Sequence, residues 1–445
     1  MSLDSVVEVL RAHPWVGGVR ADDDGVRVTA DPAALVAGAH PGPLVAEFLD
    51  QWSEVYDATY RAAGGRHAED LDLSGWRATD TGRPLPTGHM RQWLDHTVDL
   101  ILGARPRHVL ELGCGTGLLL HRLRPHVAGY VGTDVAPHAV STLNADAPPH
   151  VRVVTAAAHE LTGNVVRAAL ADLRFPDGRP DCVLLNSVTQ CFPDVAYLTY
   201  VLGAAVELVA PGGTVFVGDV RHAGLHQHFC RWAERAATAD AADTDLARRA
   251  QQRAERDEEL LVDPATVAAA ALGVTGRNVR VAVHAKTMQE DSELTRYRYD
   301  LVLHVDPPAA HPTATEIAWT DLPATDRPAA LRQAATGAVR IRGVRNALLH
   351  PRDPDAVTAH HLWATVGGRA AVLLDPHEPG LLEVASPRVA TRPAAEVAVG
   401  VRRAHEPLPG YVRRRLAEEA RRLLRRRLPA AAGVRVTVDL PEVAR

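Results

Sequence analysis

The sequence predicts an α/β fold built on a mostly parallel, doubly wound sheet, and three observations carry that prediction. Val109-Leu110-Glu111-Leu112-Gly113-Cys114-Gly115-Thr116-Gly117 is followed by Val131-Gly132-Thr133-Asp134. An apolar run ends in an acid, three glycines alternate with small residues, and a second apolar run ends in another acid. This reads as strand, tight turn, helix start and second strand. Residues 107–305 then alternate short apolar runs with segments of helical spacing, which implies parallel strands joined by crossover helices. The last two strands are separated by a linker of turn character, 287–296. A closing hairpin of that sort sets one antiparallel strand into the sheet.

Taken in order, the strands are expected at 107–112, 130–134, 151–155, 181–186, 214–219, 278–284 and 299–305, seven in all, the last antiparallel. Segments 117–126 and 195–209 have helical spacing, and Ala210-Pro211-Gly212-Gly213 is the turn that introduces the fifth strand. Residues 90–103 suggest an amphipathic helix covering the cleft. The charged helical stretch 222–272, with Arg248, Arg249, Arg253, Glu255 and Arg256, lies where insertions commonly form a substrate lid. A solvated helix face accounts for most of those charges. Pro307, Pro308, Pro312, Pro323 and Pro328 mark a loop-rich connection into an ill-defined α/β segment, 306–400. In the tail, Arg413, Arg414, Arg415, Arg421, Arg422, Arg425, Arg426 and Arg427 are interrupted by Leu416, Leu423, Leu424 and Leu428. That is a basic amphipathic helix, packed by its leucines or docked on an acidic partner.

Composition narrows the function. A chain of 445 residues has room for two or three domains. A net charge of −5 argues against nucleic acid as the default ligand. The first residues, Met1-Ser2-Leu3-Asp4, lack the basic start of a signal peptide, and no stretch reaches the ~18 apolar residues of a membrane span. A cytoplasmic setting, with Cys114, Cys182, Cys191 and Cys230 as reduced thiols, is the expectation. Lys286 is the only lysine, so no Walker A lysine follows the glycines.

The glycines let the backbone approach a ligand closely, and Asp134 stands where a carboxylate takes both hydroxyls of a ribose. The spacing G-x-G-x-G lacks the third glycine of a dinucleotide turn. With Glu111 two residues before the first glycine, it resembles the S-adenosylmethionine loop of the class I methyltransferases, whose Rossmann-like sheet ends in an antiparallel strand. Other stretches resemble one branch, the N-methyltransferase domains embedded in adenylation domains of nonribosomal peptide synthetases. They are Trp52-Ser53-Glu54-Val55-Tyr56-Asp57 with Tyr60, Gly75-Trp76-Arg77-Ala78-Thr79-Asp80-Thr81-Gly82, Met90 and Trp93, and Leu185-Asn186-Ser187-Val188-Thr189-Gln190-Cys191-Phe192-Pro193. Further matches are Gly218-Asp219-Val220-Arg221, Glu258-Glu259-Leu260-Leu261-Val262-Asp263-Pro264 and Glu293-Leu294-Thr295-Arg296-Tyr297-Arg298-Tyr299-Asp300. The resemblance covers roughly residues 50–305, and its strength lies in several separate motifs agreeing in order. The flanks, Val6–Val16 in sequence and 423–429, resemble parts of the host adenylation domain. Its large nucleotide-binding portion and final lysine motif have no counterpart here, so no adenylation activity is expected. The implied organisation is an adenylation-domain remnant at 1–48, a methyltransferase domain at 49–305, an α/β extension at 306–400 and an Arg-rich helix and tail at 401–445, as a free-standing version of the embedded domain or a fragment cut from a larger enzyme.

The resemblance implies S-adenosyl-L-methionine as cofactor. Glu111, Gly113, Cys114, Gly115 and Gly117 would hold its methionine part, Asp134 its ribose, and Glu160 its adenine. The family generally has two acids at that last place, and here His159 replaces one of them. Asn186 and Ser187 would lie where cofactor and substrate meet. Asn186, Asp219, Arg221, Glu259, Glu293 and Tyr297 are the candidates for orienting the acceptor, with no single general base singled out. His222, His226, His228 and Cys230 fall within nine residues, but closed metal sites draw ligands from separate elements, so no metal is expected.

The leading function is N-methylation of an amino acid or carrier-bound aminoacyl group, with a nonribosomal peptide synthetase as possible partner and neither nucleic acid nor membrane. O-, S- or C-methylation of a related molecule is the alternative, because the cofactor site does not encode the acceptor atom. A non-catalytic module that binds a synthetase is the reading from a different class.

Overall fold

The computed structural model describes residues 3–22, 25–63, 71–238, 242–273, 276–307 and 312–441. Seven strands form the part of the sheet that builds the site: β1 His108–Leu112, β2 Gly129–Asp134, β3 Val151–Thr155, β4 Cys182–Asn186, β5 Thr214–Arg221, β6 Val279–Ala285 and β7 Arg298–Val305. Their order is β3-β2-β1-β4-β5-β7-β6. The first five pair in parallel, and β7 is antiparallel to both β5 and β6. Every residue of β4 and β5 is buried, because helices cover both faces of a parallel sheet. The chain reverses between β1 and β4, so the carboxyl ends of these two strands open a crevice between divergent loops.

The helices start where side chains can satisfy their free backbone N–H groups. Asp194 accepts from the Tyr197 amide at 2.7 Å to cap Val195–Leu208, and Asp263 accepts from the Thr266 amide at 2.9 Å to cap Pro264–Leu272. Helix Thr87–Gly103 buries Met90, Trp93, Leu94, Thr97 and Ile101, one stripe at helical spacing, against the sheet. Helix Pro43–Ala63 buries Leu44, Val45 and Phe48 in its first half. Its second half turns Trp52, Tyr56 and Tyr60, each four residues apart, to the crevice.

Two expectations are corrected, the strand count and the turn character of 287–296. The sheet does not stop at seven strands: Thr315–Ala318, Val339–Arg345, Ala371–Leu374 and Leu381–Ala385, here β8 to β11, continue it beyond β6 in the order β10-β11-β9-β8. The joint is narrow, a single register pair between Leu373 and His284, with Arg392–Pro393 pairing further along β6. An otherwise bare edge of β6 is thereby covered. Stretch 222–272 is three helices, His226–Ala237, Asp243–Glu255 and Pro264–Leu272, and the linker 287–296 ends in a short helix, Glu293–Tyr297.

The two ends of the chain meet. Hairpin Val16–Asp22 and Gly25–Ala30 accepts Arg435–Asp439 as a third strand, parallel to the second. Helix Leu408–Arg427 buries Tyr411, Val412, Leu416, Ala420 and Leu424 against this unit, so the Arg-rich helix packs by its apolar stripe. Arg415 pairs with Glu47 and Glu419, and Arg414 with Glu258. No helix among the described residues is long and apolar enough to cross a membrane.

Candidate active site

A cavity of about 1040 Å³ opens at the carboxyl ends of β1, β2 and β4. That is at the upper end of the ~300–1,000 Å³ typical of small-molecule sites, so two ligands fit side by side. Gly113, Gly115 and Gly117 have φ of 71°, 52° and 85°, the left-handed region that glycine adopts without cost. A Cβ on Gly113 would stand 2.5 Å from Val188 Cγ2, and one on Gly115 would stand 3.0 Å from the Tyr60 hydroxyl. The loop is thus a cradle whose floor is bare backbone, roofed by Tyr60.

Asp134 closes the loop. One carboxylate oxygen accepts from the Gly115 amide at 2.7 Å and the other from the Ala136 amide at 2.8 Å. Each oxygen keeps a second lone pair for a ligand hydroxyl. Burial pushes this carboxyl up, opposed by the Ala136 and Gly115 amides. Glu111, at the end of β1, is 3% exposed and accepts a hydrogen bond from the Tyr130 hydroxyl. Burial pushes its carboxyl up to about 8, with the Tyr130 bond opposing the rise. The folded protein therefore holds a proton here that the unfolded chain gives up near pH 4.5, and this group makes stability fall as pH rises from that value through 8. Glu111→Gln is expected to leave the melting temperature of the ligand-free protein unchanged at pH 5. At pH 8.5 it should raise it by several degrees, while weakening cofactor binding; scanning fluorimetry across pH checks both.

At the tips of β4 and β5 two residues adopt the left-handed region without being glycine, Ser187 at φ 54° and Asp219 at φ 59°. Such strain persists only where the surroundings fix it, and it clusters at functional sites. Asn186 is 7% exposed and lines the cavity, and its Oδ1 has no partner among the described residues. Gln190 Oε1 is a second orphaned acceptor on the same wall. Ser187 also faces the cavity and donates to Asp219 Oδ2 at 2.6 Å.

Further out, Arg221 donates to both oxygens of Asp257, at 3.0 and 2.8 Å, and to Glu259 at 2.7 Å, with its guanidinium over the Phe229 ring. Glu293 accepts from the amide and hydroxyl of Thr79 at 2.7 and 3.1 Å and lies 3.5 Å from Arg298. All four of Arg221, Glu259, Glu293 and Arg298 line the same cavity as the glycine loop.

Four expected residues do not: Gly117, which caps the helix Leu118–Leu123 behind the loop, and Asp219, Tyr297 and Glu160. Asp219 is wholly buried behind the wall, binding Trp93, Ser187 and Arg298, with Lys286 3.4 Å away. Tyr297 packs on Phe229 and Trp232 and pairs its hydroxyl with His228 Nδ1 at 2.9 Å. Glu160 turns back to accept from the Ala157 amide at 2.8 Å, capping its own turn, while Ala156, Ala157 and Ala158 face the cavity instead. His159 pairs with the Tyr197 hydroxyl at 2.8 Å.

His222, His226 and His228 go to three different partners, the Gly224 amide, Asp257 and Tyr297. Among the described residues no grouping of three or more His, Cys, Asp or Glu side chains is arranged to hold a metal.

Sequence reasoning missed the aromatic lining and the buried charge network. Trp52, Tyr56, Tyr60, Trp76, Trp93, Phe192, Tyr197 and Phe229 all line the cavity, in a chain with only 7 Trp, 8 Tyr and 5 Phe. The four-residue spacing of Trp52, Tyr56 and Tyr60 was the available signal. Lys286, with its side chain wholly buried, sits 2.7 Å from Asp300, which also meets His96 at 3.2 Å; nothing in the sequence marks this cluster.

Residues 87–243 match a sequence family described as a methyltransferase domain. Chondramide synthase of Chondromyces crocatus is 30% identical over 372 residues, spanning 79% of this chain and 9% of that protein. The beauvericin nonribosomal cyclodepsipeptide synthetase of Beauveria bassiana is 34% identical over 283 residues, 61% of this chain and 9% of that protein. The chain thus spans less than a tenth of the length of either relative. Among solved structures, the N-methyltransferase NodS from Bradyrhizobium japonicum with S-adenosyl-l-homocysteine is 16% identical, covering 57% of this chain and 98% of that one at a TM-score of 0.31. The cavity suits the adenosyl cofactor of that domain family: a bare glycine cradle, a carboxylate with lone pairs to spare, and two unpartnered buried acceptors.

Proposed function

This chain carries an S-adenosylmethionine-dependent methyltransferase domain, and on that premise we propose that it methylates the amine of an amino acid or carrier-bound aminoacyl group in nonribosomal peptide biosynthesis. The observation that carries the proposal is the pairing of Arg221 with Glu259, facing the glycine cradle across one cavity. When bound, the cofactor supplies an electrophilic methyl group on a sulfonium, taken by in-line displacement. An ammonium has no lone pair, so the acceptor must reach the site neutral or lose a proton there. Glu259 Oε2 is held by Arg221, and Oε1 has no hydrogen bond among the described residues; it is the atom available to take that proton. Both oxygens of Glu293 are already engaged by Thr79, so its part is positioning.

Three of the five N–H groups of Arg221 are taken by Asp257 and Glu259, and the two that are left can donate toward the acyl carbonyl, fixing the amine's direction of approach. The aromatic walls exclude water and strengthen these contacts. The same walls favour a cationic ligand through their ring faces.

The test is incubation with methyl-labelled cofactor and a panel of free and carrier-loaded amino acids, with the labelled position assigned by mass spectrometry. The proposal expects label on nitrogen. Label on oxygen, sulfur or carbon, or no transfer to any acceptor, overturns it.

A further inference from the structure

The loop that carries Glu259 has no regular backbone to hold it: between the helix ending at Glu255 and the short strand Leu261–Val262, residues 257–260 are neither helix nor strand. Its fixed point is Asp257. Oδ1 of that carboxylate accepts from Arg221 at 3.0 Å and from the Glu259 amide at 3.2 Å, and Oδ2 accepts from Arg221 at 2.8 Å. One side chain therefore sets both the guanidinium and the backbone of the glutamate beside it. Burial pushes the Asp257 carboxyl up, but the His226 bond and Arg221 outweigh it and hold the group well below its ordinary value of 3.8.

Two histidines hold Asp257 from outside the cavity. His226, at the start of helix His226–Ala237, donates from Nε2 to Asp257 Oδ2 at 3.0 Å. His405 donates from Nε2 to the Asp257 backbone carbonyl at 2.8 Å. Their rings pack with centroids 4.8 Å apart, and neither lines the cavity. His405 belongs to a strap that runs along the loop. Ala404 and His405 pair antiparallel with Val262 and Leu261, the Arg403 amide donates to Asp263 at 2.9 Å, and Arg414 meets Glu258 at 2.6 Å. At its other side, Glu406 accepts from the Val195 amide at 2.9 Å, beyond the end of β4. The Arg-rich C-terminal part of the chain is thus bonded to the loop on both sides of Glu259.

Resting on the methyl-transfer reading above, we propose that His405, backed by His226, is a positioning residue for the acceptor: it fixes Asp257, and through it the aim of Arg221 and Glu259 into the cavity. A bond that only closed the fold could end on any carbonyl of the loop, whereas both imidazoles end on the one residue that holds this pair. The link matters because a shift of about 1 Å in a group that orients the reactants can cost a hundredfold in rate. Side chains that are themselves locked by hydrogen bonds and packing keep such a group in one geometry. The glycine cradle, closed by Asp134, shares none of these bonds, so the cofactor half of the cavity responds separately.

The experiment measures methyl transfer by the full chain and its His405→Phe and His405→Gln variants, with the member of the acceptor panel above that takes the most label. Phenylalanine keeps a ring against His226 and loses the N–H, whereas glutamine keeps a donor. The expected result is a fall of about tenfold or more in kcat/KM for the acceptor in His405→Phe, with His405→Gln within about threefold of wild type. S-adenosylhomocysteine affinity should be unchanged in both, which shows that they are folded. In a Glu259→Gln background, His405→Phe should cost less than about threefold, since its effect runs through that residue. Wild-type kcat/KM in His405→Phe overturns the inference even if the melting temperature falls. So do equal losses in the two variants, a loss of S-adenosylhomocysteine affinity, or full additivity with Glu259→Gln. Label on an atom other than nitrogen sinks the N-methylation reading, while the His405 series still decides the inference. If nothing in the panel is methylated, that reading falls and hydrogen–deuterium exchange decides. Residues 257–261 should then exchange faster in His405→Phe and as in the wild type in His405→Gln; unchanged exchange in His405→Phe overturns the inference.

Discussion

Asp219→Ala is expected to cost the fold about 3–5 kcal/mol, the range for removing one partner of a buried ion cluster. The Asp219 carboxylate has no exposure and accepts from Trp93 at 3.0 Å, Ser187 at 2.6 Å and Arg298 at 2.6 Å. Without it, Arg298 keeps only Glu293 at 3.5 Å, and the wholly buried Lys286 keeps only Asp300. Each cation then keeps one acid, Arg298 only at the longer distance, while the buried Trp93 Nε1 and the Ser187 hydroxyl lose their acceptor. Lys286→Met deletes a contact that Asp219→Ala has already broken, so the double variant should be less destabilised than the sum of the single ones. Burial pushes the Asp219 carboxyl up, but Arg298, Lys286 and Ser187 outweigh it and hold the group below its ordinary value of 3.8. Asp300 is likewise held down by Lys286 and His96 against its burial. A depressed folded value stabilises fully above the unfolded one and is lost as pH falls through the folded one. Urea unfolding at pH 7 should show the full difference between wild type and variant, and the gap should narrow below about pH 4.

Asp134→Ala is expected to weaken S-adenosylhomocysteine binding at least a hundredfold, about 2.7 kcal/mol. Two effects add. The variant removes the acceptors for the ligand's hydroxyls, and it frees the Gly115 and Ala136 amides that hold the glycine cradle in shape. Hydrogen bonds to a charged group are worth about 1.5–3 kcal/mol each, so losing even one ligand bond and part of the cradle suffices. Asp134→Asn keeps an acceptor for one amide and should fall between the two. Far-UV circular dichroism would separate this loss from unfolding.

The glycine cradle and the first five strands were legible because their signals are local. Apolar runs of strand length end at acids, and three glycines occupy places where φ is positive. What failed was non-local. Asp219 was grouped with Arg221, at the end of β5, among the residues expected to orient the acceptor. The register against β7 slips between Tyr299 and Leu301, and Asp219 takes a left-handed φ at that irregularity, its amide bonded to Asp300 at 2.7 Å. A slip of one residue exchanges the faces of a strand, and no pattern in the sequence announces it. Glu160 was placed by its position after the third strand, yet its side chain satisfies its own turn first. The extension beyond β6 was obscured by prolines and by strands as short as the four residues of β8 and β10. The stretch with Arg248 to Arg256 was read both as a substrate lid and as a solvated helix face, because sequence gives the spacing of these residues but not the direction in which that side points.

The most direct test of the central claim is calorimetric titration of S-adenosylhomocysteine into the intact chain beside its Asp134→Ala variant. A single saturable site in the wild type, lost in the variant, is the predicted result. No heat of binding in the wild type, or equal affinity in the two proteins, would contradict the assignment of the glycine cradle as the cofactor site.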